Sequence, residues 1–312
     1  MHFAFSFLFY RRARQAGSAL AAGVLLAGCA TTPLPVVSLP GDGVNVYAAG
    51  DIAQCHYRKP SDAAAAGTAA LVAAQLARDR QAVVLTLGDH TYPVGLPAEF
   101  TDCYGPTWGR FKERTHPVPG NHEYYTRGAP GYYGYFGAAA GPAGRGYYSM
   151  QIGRWHVIAL NSNLRNAQFA EQLEWLKADL DRNRKFCTLA YFHHPVFSSG
   201  GHGSNDYMLP VWKILAAANA ELVLASHDHD YERFAPQDGA GRRDSATGIR
   251  HFVIGTGGAQ LTPLRLAKAN SEVRDNSAHG VLKLVLKDTG YEWEFLPATQ
   301  GGFTDRGTAL CH

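Results

Sequence analysis

The stretch Ala82-Val83-Val84-Leu85-Thr86-Leu87-Gly88-Asp89-His90-Thr91-Tyr92 decides the fold. Residues 82–87 are apolar and rich in β-branched side chains, a pattern typical of a buried strand. The predicted strand ends in a glycine turn that carries a carboxylate and, three residues later, a phenol. Because ligands of open α/β sheets bind at the carboxyl ends of strands, Asp89 and Tyr92 are candidate site residues.

Residues of metal-binding type also follow other predicted strands. A strand at 44–49 leads into Asp51, and a helix predicted over 62–80 connects it to the strand at 82–87. This βαβ order predicts that the two strands are parallel neighbours, so Asp51 and Asp89 lie at one edge. Three later strand ends supply the other candidates: Asn121 with His122, His193, and His227 with His229.

The rest of the chain predicts an α/β fold. Strands at 155–160, 186–192 and 221–225 alternate with helices at 167–182 and 209–219, and a strand at 251–254 and a hairpin over 281–296 follow. This order predicts a sandwich of two mixed β-sheets flanked by helices. Residues 124–148 are rich in glycine and aromatic residues, which indicates either a loop at the pocket rim or a poorly packed surface loop.

The N-terminal segment carries the whole net charge of the chain, +3. Arg11, Arg12 and Arg14 are the charged residues of positions 1–28, and the remaining 26 basic residues are balanced by 26 acidic ones. No basic surface is therefore predicted, and we expect no nucleic acid partner.

Residues 1–28 have the features of an export signal. The arginines precede an apolar run over 16–27, whose helix of about 18 Å is too short for a hydrocarbon core of about 30 Å. Leu26-Ala27-Gly28-Cys29 resembles a bacterial lipoprotein signal, with ordinary signal cleavage as the alternative. The resemblance implies a signal peptide at 1–28, a lipid anchor on Cys29 and a location in the bacterial cell envelope. The residues that follow, up to Gly43, are rich in Pro, Gly and Ser, which predicts a tether at 29–43 and a single domain at 44–312.

Four further cysteines, Cys55, Cys103, Cys187 and Cys311, permit up to two disulfides in an oxidising compartment. The sequence does not fix the pairing. Cys55 and Cys103 each closely follow a candidate site segment, and we therefore favour a bond between them.

The whole set of motifs resembles the calcineurin-like metallophosphoesterases, and within them it is most similar to the purple acid phosphatases. The motifs run from about residue 45 to 258: Gly50-Asp51, Gly88-Asp89-x-x-Tyr92, Gly120-Asn121-His122-Glu123, His193-x-Pro195 and His227-x-His229-x-Tyr231-Glu232-Arg233. The resemblance implies the four-layer sandwich of that family and a site for two metal ions. Ala53 replaces the metal-binding histidine of the usual first motif, and Tyr92 stands where purple acid phosphatases have a tyrosine ligand.

The resemblance implies two ligand sets that share Asp89. A phenolate is a hard anionic donor, so Fe(III) is expected at the set Asp51, Asp89, Tyr92 and His229. The softer set suits a divalent ion, either Zn, Fe or Mn, and comprises Asp89, Asn121, His193 and His227.

The resemblance implies a small phosphorylated substrate and the activity of an acid phosphatase, which hydrolyses phosphate monoesters by in-line attack of a metal-bound hydroxide. His122 would contact the phosphate or orient the nucleophile, and His202 or, as the alternative, His194 would protonate the leaving group. We also expect Glu232 and Arg233 to form a pair behind the site.

Other functions remain open at this point. The same metals could serve a phosphodiesterase or a hydrolase of nucleotides or pyrophosphate. A lipid-anchored protein that binds metal or phosphate without turnover and a redox-active di-iron protein are the alternatives from other classes.

Overall fold

The computed structural model describes residues 36–37, 43–142, 144–184 and 187–312. The predicted signal peptide, Cys29 and most of the predicted tether lie outside the described residues. Within them, the strands are β1 (Val36–Val37), β2 (Val44–Ala49), β3 (Val83–Thr86), β4 (Thr115–Pro117), β5 (Tyr148–Ile152), β6 (Trp155–Ala159), β7 (Cys187–Tyr191), β8 (Leu222–Ala225), β9 (Tyr231–Phe234), β10 (Arg250–Ile254), β11 (Ser271–Asp275), β12 (Gly280–Lys287), β13 (Gly290–Pro297) and β14 (Arg306–Leu310).

These strands form two mixed sheets. The larger has the order β1-β5-β6-β7-β8-β10-β9-β11, and the smaller has the order β14-β13-β12-β2-β3-β4. Strands β2, β3 and β4 are parallel, which confirms that the first two predicted strands are parallel neighbours. Strands β6, β7, β8 and β10 are likewise parallel, so each sheet has a group of strands that end at one edge.

The helices are α1 (Ala64–Arg78), α2 (Pro97–Glu99), α3 (Asn121–Tyr124), α4 (Pro130–Phe136), α5 (Asn166–Arg182) and α6 (Leu209–Ala217). The predicted helix over 62–80 begins two residues later, because Pro60–Asp62 forms a separate 3₁₀ turn. None of the helices in the described part of the chain is both long enough and apolar enough to cross a membrane.

Side chains of successive strand residues point to opposite faces, and this alternation builds the layers. In β6, Val157 belongs to the core shared by the two sheets, whereas Ile158 packs in a second cluster with Leu176 of α5 and Leu215 of α6. The smaller sheet is covered by α1, since the Asn45 amide donates to Asp79 at the end of that helix. The predicted α/β fold of two mixed sheets flanked by helices is confirmed.

The aromatic segment that follows α3 is not a surface loop. It contains α4, whose Tyr132 and Phe136 are buried and lie 5.5 and 4.8 Å from the His90 ring. His90 is itself fully buried, with Nε2 2.7 Å from Thr86 Oγ1. The aromatic rings of the segment pack against one another. The segment therefore forms a hydrophobic layer behind the Asp89 turn.

Two disulfides tie distant parts of the chain together. The favoured bond between Cys55 and Cys103 is present, with 5.8 Å between the Cα atoms, and Cys187 pairs with Cys311 at 5.9 Å. The second bond joins the start of β7 to the residue that follows β14. It therefore lies at the end of β7 opposite the residues that follow Tyr191.

Candidate metal centre

The carboxyl ends of the parallel strands of both sheets meet at one place. Backbone N–H of Gly50 donates to Ile254 O (2.9 Å), and Ser226 Oγ donates to Leu87 O (2.7 Å), so each bond joins one sheet to the other. The predicted site residues follow these strand ends, and the structure brings all of them together.

Backbone strain is concentrated at this edge. Asp51, Asp89 and His227 adopt the left-handed conformation, with φ of 56°, 49° and 72°. Such a conformation costs about 1–3 kcal/mol for a residue other than glycine and is typical of functional sites. Gly120 permits a close approach to the Asp89 turn, since a Cβ there would lie 2.1 Å from Asp89 Oδ1.

One group of donor atoms surrounds the Tyr92 hydroxyl. Its oxygen lies 3.0 Å from Asp51 Oδ1, 3.4 Å from Asp89 Oδ2 and 3.3 Å from His229 Nε2. His229 Nε2 is also 3.3 Å from Asp51 Oδ1. A single phenolic proton cannot satisfy three such neighbours, and a cation among them would.

A second group surrounds His193 Nε2. This nitrogen lies 2.9 Å from Asn121 Oδ1, 3.2 Å from His227 Nδ1 and 3.4 Å from Asp89 Oδ2. The same oxygen of Asp89 therefore borders both groups, as a bridging carboxylate would.

Backbone carbonyls orient two of the imidazoles. His193 Nδ1 lies 2.9 Å from Leu87 O, and His229 Nδ1 lies 2.7 Å from Gln260 O. Since a carbonyl only accepts, each Nδ1 carries a proton, and Nε2 is the ring nitrogen that faces the acidic groups. Within the described residues neither Asp51 nor Asp89 forms an ion pair with a lysine or arginine. The donor set therefore fits cations.

The electrostatics of the metal-free site follow from burial and the two carboxylates. Burial raises the pKa of Tyr92 well above 10, and Asp51 and Asp89 raise it further. Burial lowers the pKa values of His193 and His229, but Asp89 and Asp51, respectively, outweigh that effect and bring each to about 9. The phenolic proton is therefore held firmly when no cation is bound.

Three further histidines surround the donor groups. His122 donates its backbone N–H to Asp89 Oδ1 (2.9 Å), and its Nε2 lies 3.8 Å from Asp89 Oδ2. His202 is exposed, with its ring 4.7 Å from that of His227. His194 is buried and its Nδ1 lies 2.7 Å from Ser162 Oγ; burial, followed by the neighbouring histidines, lowers its pKa well below 6.5.

The expected pair of Glu232 with Arg233 is wrong. Adjacent residues of a strand point to opposite faces, so the two side chains of β9 diverge. Glu232 accepts from Ser199 N (2.7 Å), whereas Arg233 Nε donates to Asp305 Oδ2 (2.6 Å).

Glu123 is a site residue that our reading of the sequence did not single out. Its buried carboxylate accepts the backbone N–H groups of Asp89 (3.0 Å), His90 (2.8 Å) and Gly120 (2.6 Å). It thereby fixes the Asp89 turn and the start of α3 to each other. The available signal was its position as the third residue of a short helix that begins at Asn121, where an acid caps the helix.

The sequence profile of the family described as Calcineurin-like phosphoesterase matches residues 44–231. The chain therefore belongs to the calcineurin-like phosphoesterases, a family of metal-dependent phosphoester hydrolases.

Within that family the chain is similar to purple acid phosphatases. It is 33% identical to Purple acid phosphatase 18 of Arabidopsis thaliana over 118 residues, which are 36% of this chain and 26% of the relative. It is 30% identical to Purple acid phosphatase 21 of the same plant over 150 residues, 45% of this chain and 34% of the relative. The matches thus span only about a quarter to a third of these relatives.

The fold is also similar to that of a solved structure, the purple acid phosphatase PPD1 from yellow lupin (Lupinus luteus) seeds. The TM-score is 0.63 at 18% identity, over 87% of this chain and 55% of the lupin chain.

Proposed function

We propose that this protein is a dinuclear-metal acid phosphatase that hydrolyses phosphate monoesters. The observation that carries the proposal is the arrangement of seven donor side chains in two groups that share the Asp89 carboxylate. Family membership and the similarity to purple acid phosphatases support it.

The proposed ligand sets are those expected from the sequence. One set, for Fe(III), contains Tyr92, whose tightly held proton favours a trivalent ion over a divalent one. The other, for Zn, Fe or Mn, contains the amide and imidazole donors around His193. The full sets are Asp51, Asp89, Tyr92 and His229, and Asp89, Asn121, His193 and His227.

Bound cations would supply Lewis-acid activation of water and neutralise charge on the phosphoryl oxygens. His122 Nδ1 lies 2.6 Å from Pro93 O and so carries a proton. Nε2 would then accept from the attacking water or, in the protonated ring, donate to a phosphoryl oxygen. His202, exposed beside His227, would transfer a ring proton to the departing ester oxygen. We favour His202 over His194 because His194 is buried and its low pKa keeps it neutral.

The test compares phenyl phosphate with diphenyl phosphate as substrates of the purified protein. We expect turnover of the monoester, and its loss together with bound metal in the Asp89→Asn variant. Asp275→Asn is the matched control, because among the described residues this half-exposed carboxylate accepts hydrogen bonds from Ser277 alone. A wild-type protein that binds metal and hydrolyses neither ester would contradict the proposal.

Hydrolysis of nucleotides or pyrophosphate is the second candidate, and a cavity of about 550 Å³ favours it. Its lining includes His56, Arg58 and His279 and contains no acidic residue. Gln260, which also lines it, accepts from His229 through its carbonyl, so the cavity adjoins the site. In this case Arg58→Gln would raise KM for pyrophosphate and leave KM for phenyl phosphate unchanged; equal effects on both would count against this candidate.

We also propose that residues 1–28 direct export and that Cys29 carries a lipid anchor at the bacterial cell envelope. The two disulfides support an oxidising compartment.

A further inference from the structure

The carboxylate of Asp228 holds the loop that carries His202. Its Oδ1 accepts the backbone N–H of His202 at 2.5 Å, and its Oδ2 accepts the backbone N–H of Gly203 at 3.0 Å. Ser198 Oγ donates to Oδ2 as well. All three partners belong to the segment 198–203, which we call the histidine loop. Asp228 is fully buried, so these bonds form away from solvent.

Asp228 lies between two proposed metal ligands in the chain. His227 is fixed by its backbone N–H, which donates to Asp51 Oδ2 at 2.8 Å, and His229 by its own, which donates to Thr262 Oγ1 at 3.1 Å. The residue between them points its side chain to the histidine loop. The same three-residue segment therefore places two ligand imidazoles and the His202 backbone relative to each other.

The contact between the histidine loop and this segment is close. A Cβ on Gly200 would lie 2.3 Å from Asp228 Cγ and 2.5 Å from Asp230 Oδ2, so only glycine permits the approach. A second carboxylate holds the same loop, because Glu232 accepts the Ser199 N–H at 2.7 Å and its hydroxyl at 2.6 Å. Two side chains of one short segment, 228–232, therefore hold the histidine loop: Asp228 and Glu232.

We propose that Asp228 is a positioning residue, which sets the His202 imidazole at the distance from the phosphoryl site that proton transfer to the leaving group requires. The inference rests on the proposed phosphatase function for its kinetic readout. In the step concerned, the oxygen of the attacking water bonds to phosphorus while the bond between phosphorus and the ester oxygen breaks. The electron pair stays on the ester oxygen, and a ring N–H of His202 supplies its proton. A displacement of about 1 Å in such a group costs about 10²-fold in rate.

The test is Asp228→Asn, measured with two monoesters. An amide keeps one acceptor oxygen and turns an N–H₂ group toward a loop donor, so at least one loop bond is lost. An alkyl phosphate needs its leaving oxygen protonated, whereas 4-nitrophenyl phosphate releases a stable phenolate. We expect kcat for the alkyl ester to fall about 10²-fold and kcat for the nitrophenyl ester to be little changed.

A double-mutant cycle separates positioning from damage to the metal centre. In a His202→Ala background, the Asp228→Asn change should not lower kcat for the alkyl ester any further, because the imidazole that Asp228 positions is absent. Asp244→Asn is the matched control, since that exposed carboxylate likewise accepts two backbone N–H groups and one hydroxyl. It should leave both substrates unaffected.

Equal losses on both esters, or an undiminished loss in the His202→Ala background, would overturn the proposal. If Asp228→Asn does not fold, Ser198→Ala removes one donor from the loop side and should give a smaller loss confined to the alkyl ester. Inactivity of the wild-type protein toward both esters would instead refute the phosphatase function. In that case hydrogen exchange of the backbone amides tests the positioning role. The exchange rate of the His202 amide should increase in Asp228→Asn, whereas the rates in β8 should stay unchanged. An unchanged rate at His202 would overturn the proposal.

Discussion

Replacing Glu123 by glutamine should destabilise the protein strongly, although the two side chains have nearly the same size and shape. The carboxylate accepts three backbone N–H groups while fully buried. Glutamine keeps one acceptor oxygen, so at least one charge-assisted bond of about 1.5–3 kcal/mol is lost and a donor faces a donor, which costs about 1–3 kcal/mol more. The free energy of unfolding should therefore fall by about 2.5–6 kcal/mol.

Urea denaturation of the metal-free protein, followed by circular dichroism, measures this loss. Glu99→Gln is the matched control, because the Glu99 carboxylate also accepts backbone N–H groups at a helix start, from Val94 (3.3 Å) and Leu96 (3.0 Å), but is partly exposed. The control should lose less than about 1 kcal/mol. A loss for Glu123→Gln no larger than that of the control would refute the reasoning.

Three further predictions concern stability and location. Replacing Cys187 and Cys311 by serine opens a loop of sequence separation 124 and should lower the free energy of unfolding by up to about 5 kcal/mol. The value of kcat should stay unchanged, because the disulfide lies at the end of β7 opposite the site. Burial raises the pKa of Glu221 from 4.5 to about 7. Between these pH values the native state holds a proton that the unfolded state has lost, so the free energy of unfolding should fall as pH rises from 4.5 to 7. Denaturation curves measured across this range should show the fall in the wild type and a smaller one in Glu221→Gln. Cys29→Ser should move the protein from the membrane fraction to the soluble fraction of cells, and an unchanged distribution would contradict lipid anchoring.

The parallel strands and the candidate ligands at their ends were predictable from the sequence for a physical reason. Strands such as β3 are buried on both faces, so their residues form continuous apolar runs. Strands β5, β11 and β14 were not predicted. Their side chains are mostly polar or half-exposed. The pairing of β14 with β13 depends on tertiary contacts, which no local sequence pattern predicts.

The supporting contacts of the site were less predictable than its donors. Gln260 orients His229 through a backbone carbonyl, which any residue would supply. Asp228 stands between two histidines and resembles another ligand in sequence, yet its side chain turns to a loop 26 residues away. In both cases the role depends on which segments the fold brings together.

The most direct test of the proposed Fe(III)–phenolate centre is the visible absorption spectrum of the purified protein, measured with its metal content and repeated on Tyr92→Phe. The account predicts two metal ions per chain, one of them iron, and a broad phenolate-to-iron charge-transfer band that disappears in the variant. A colourless protein that contains two zinc or two manganese ions, with the Tyr92→Phe spectrum identical to that of the wild type, would contradict it.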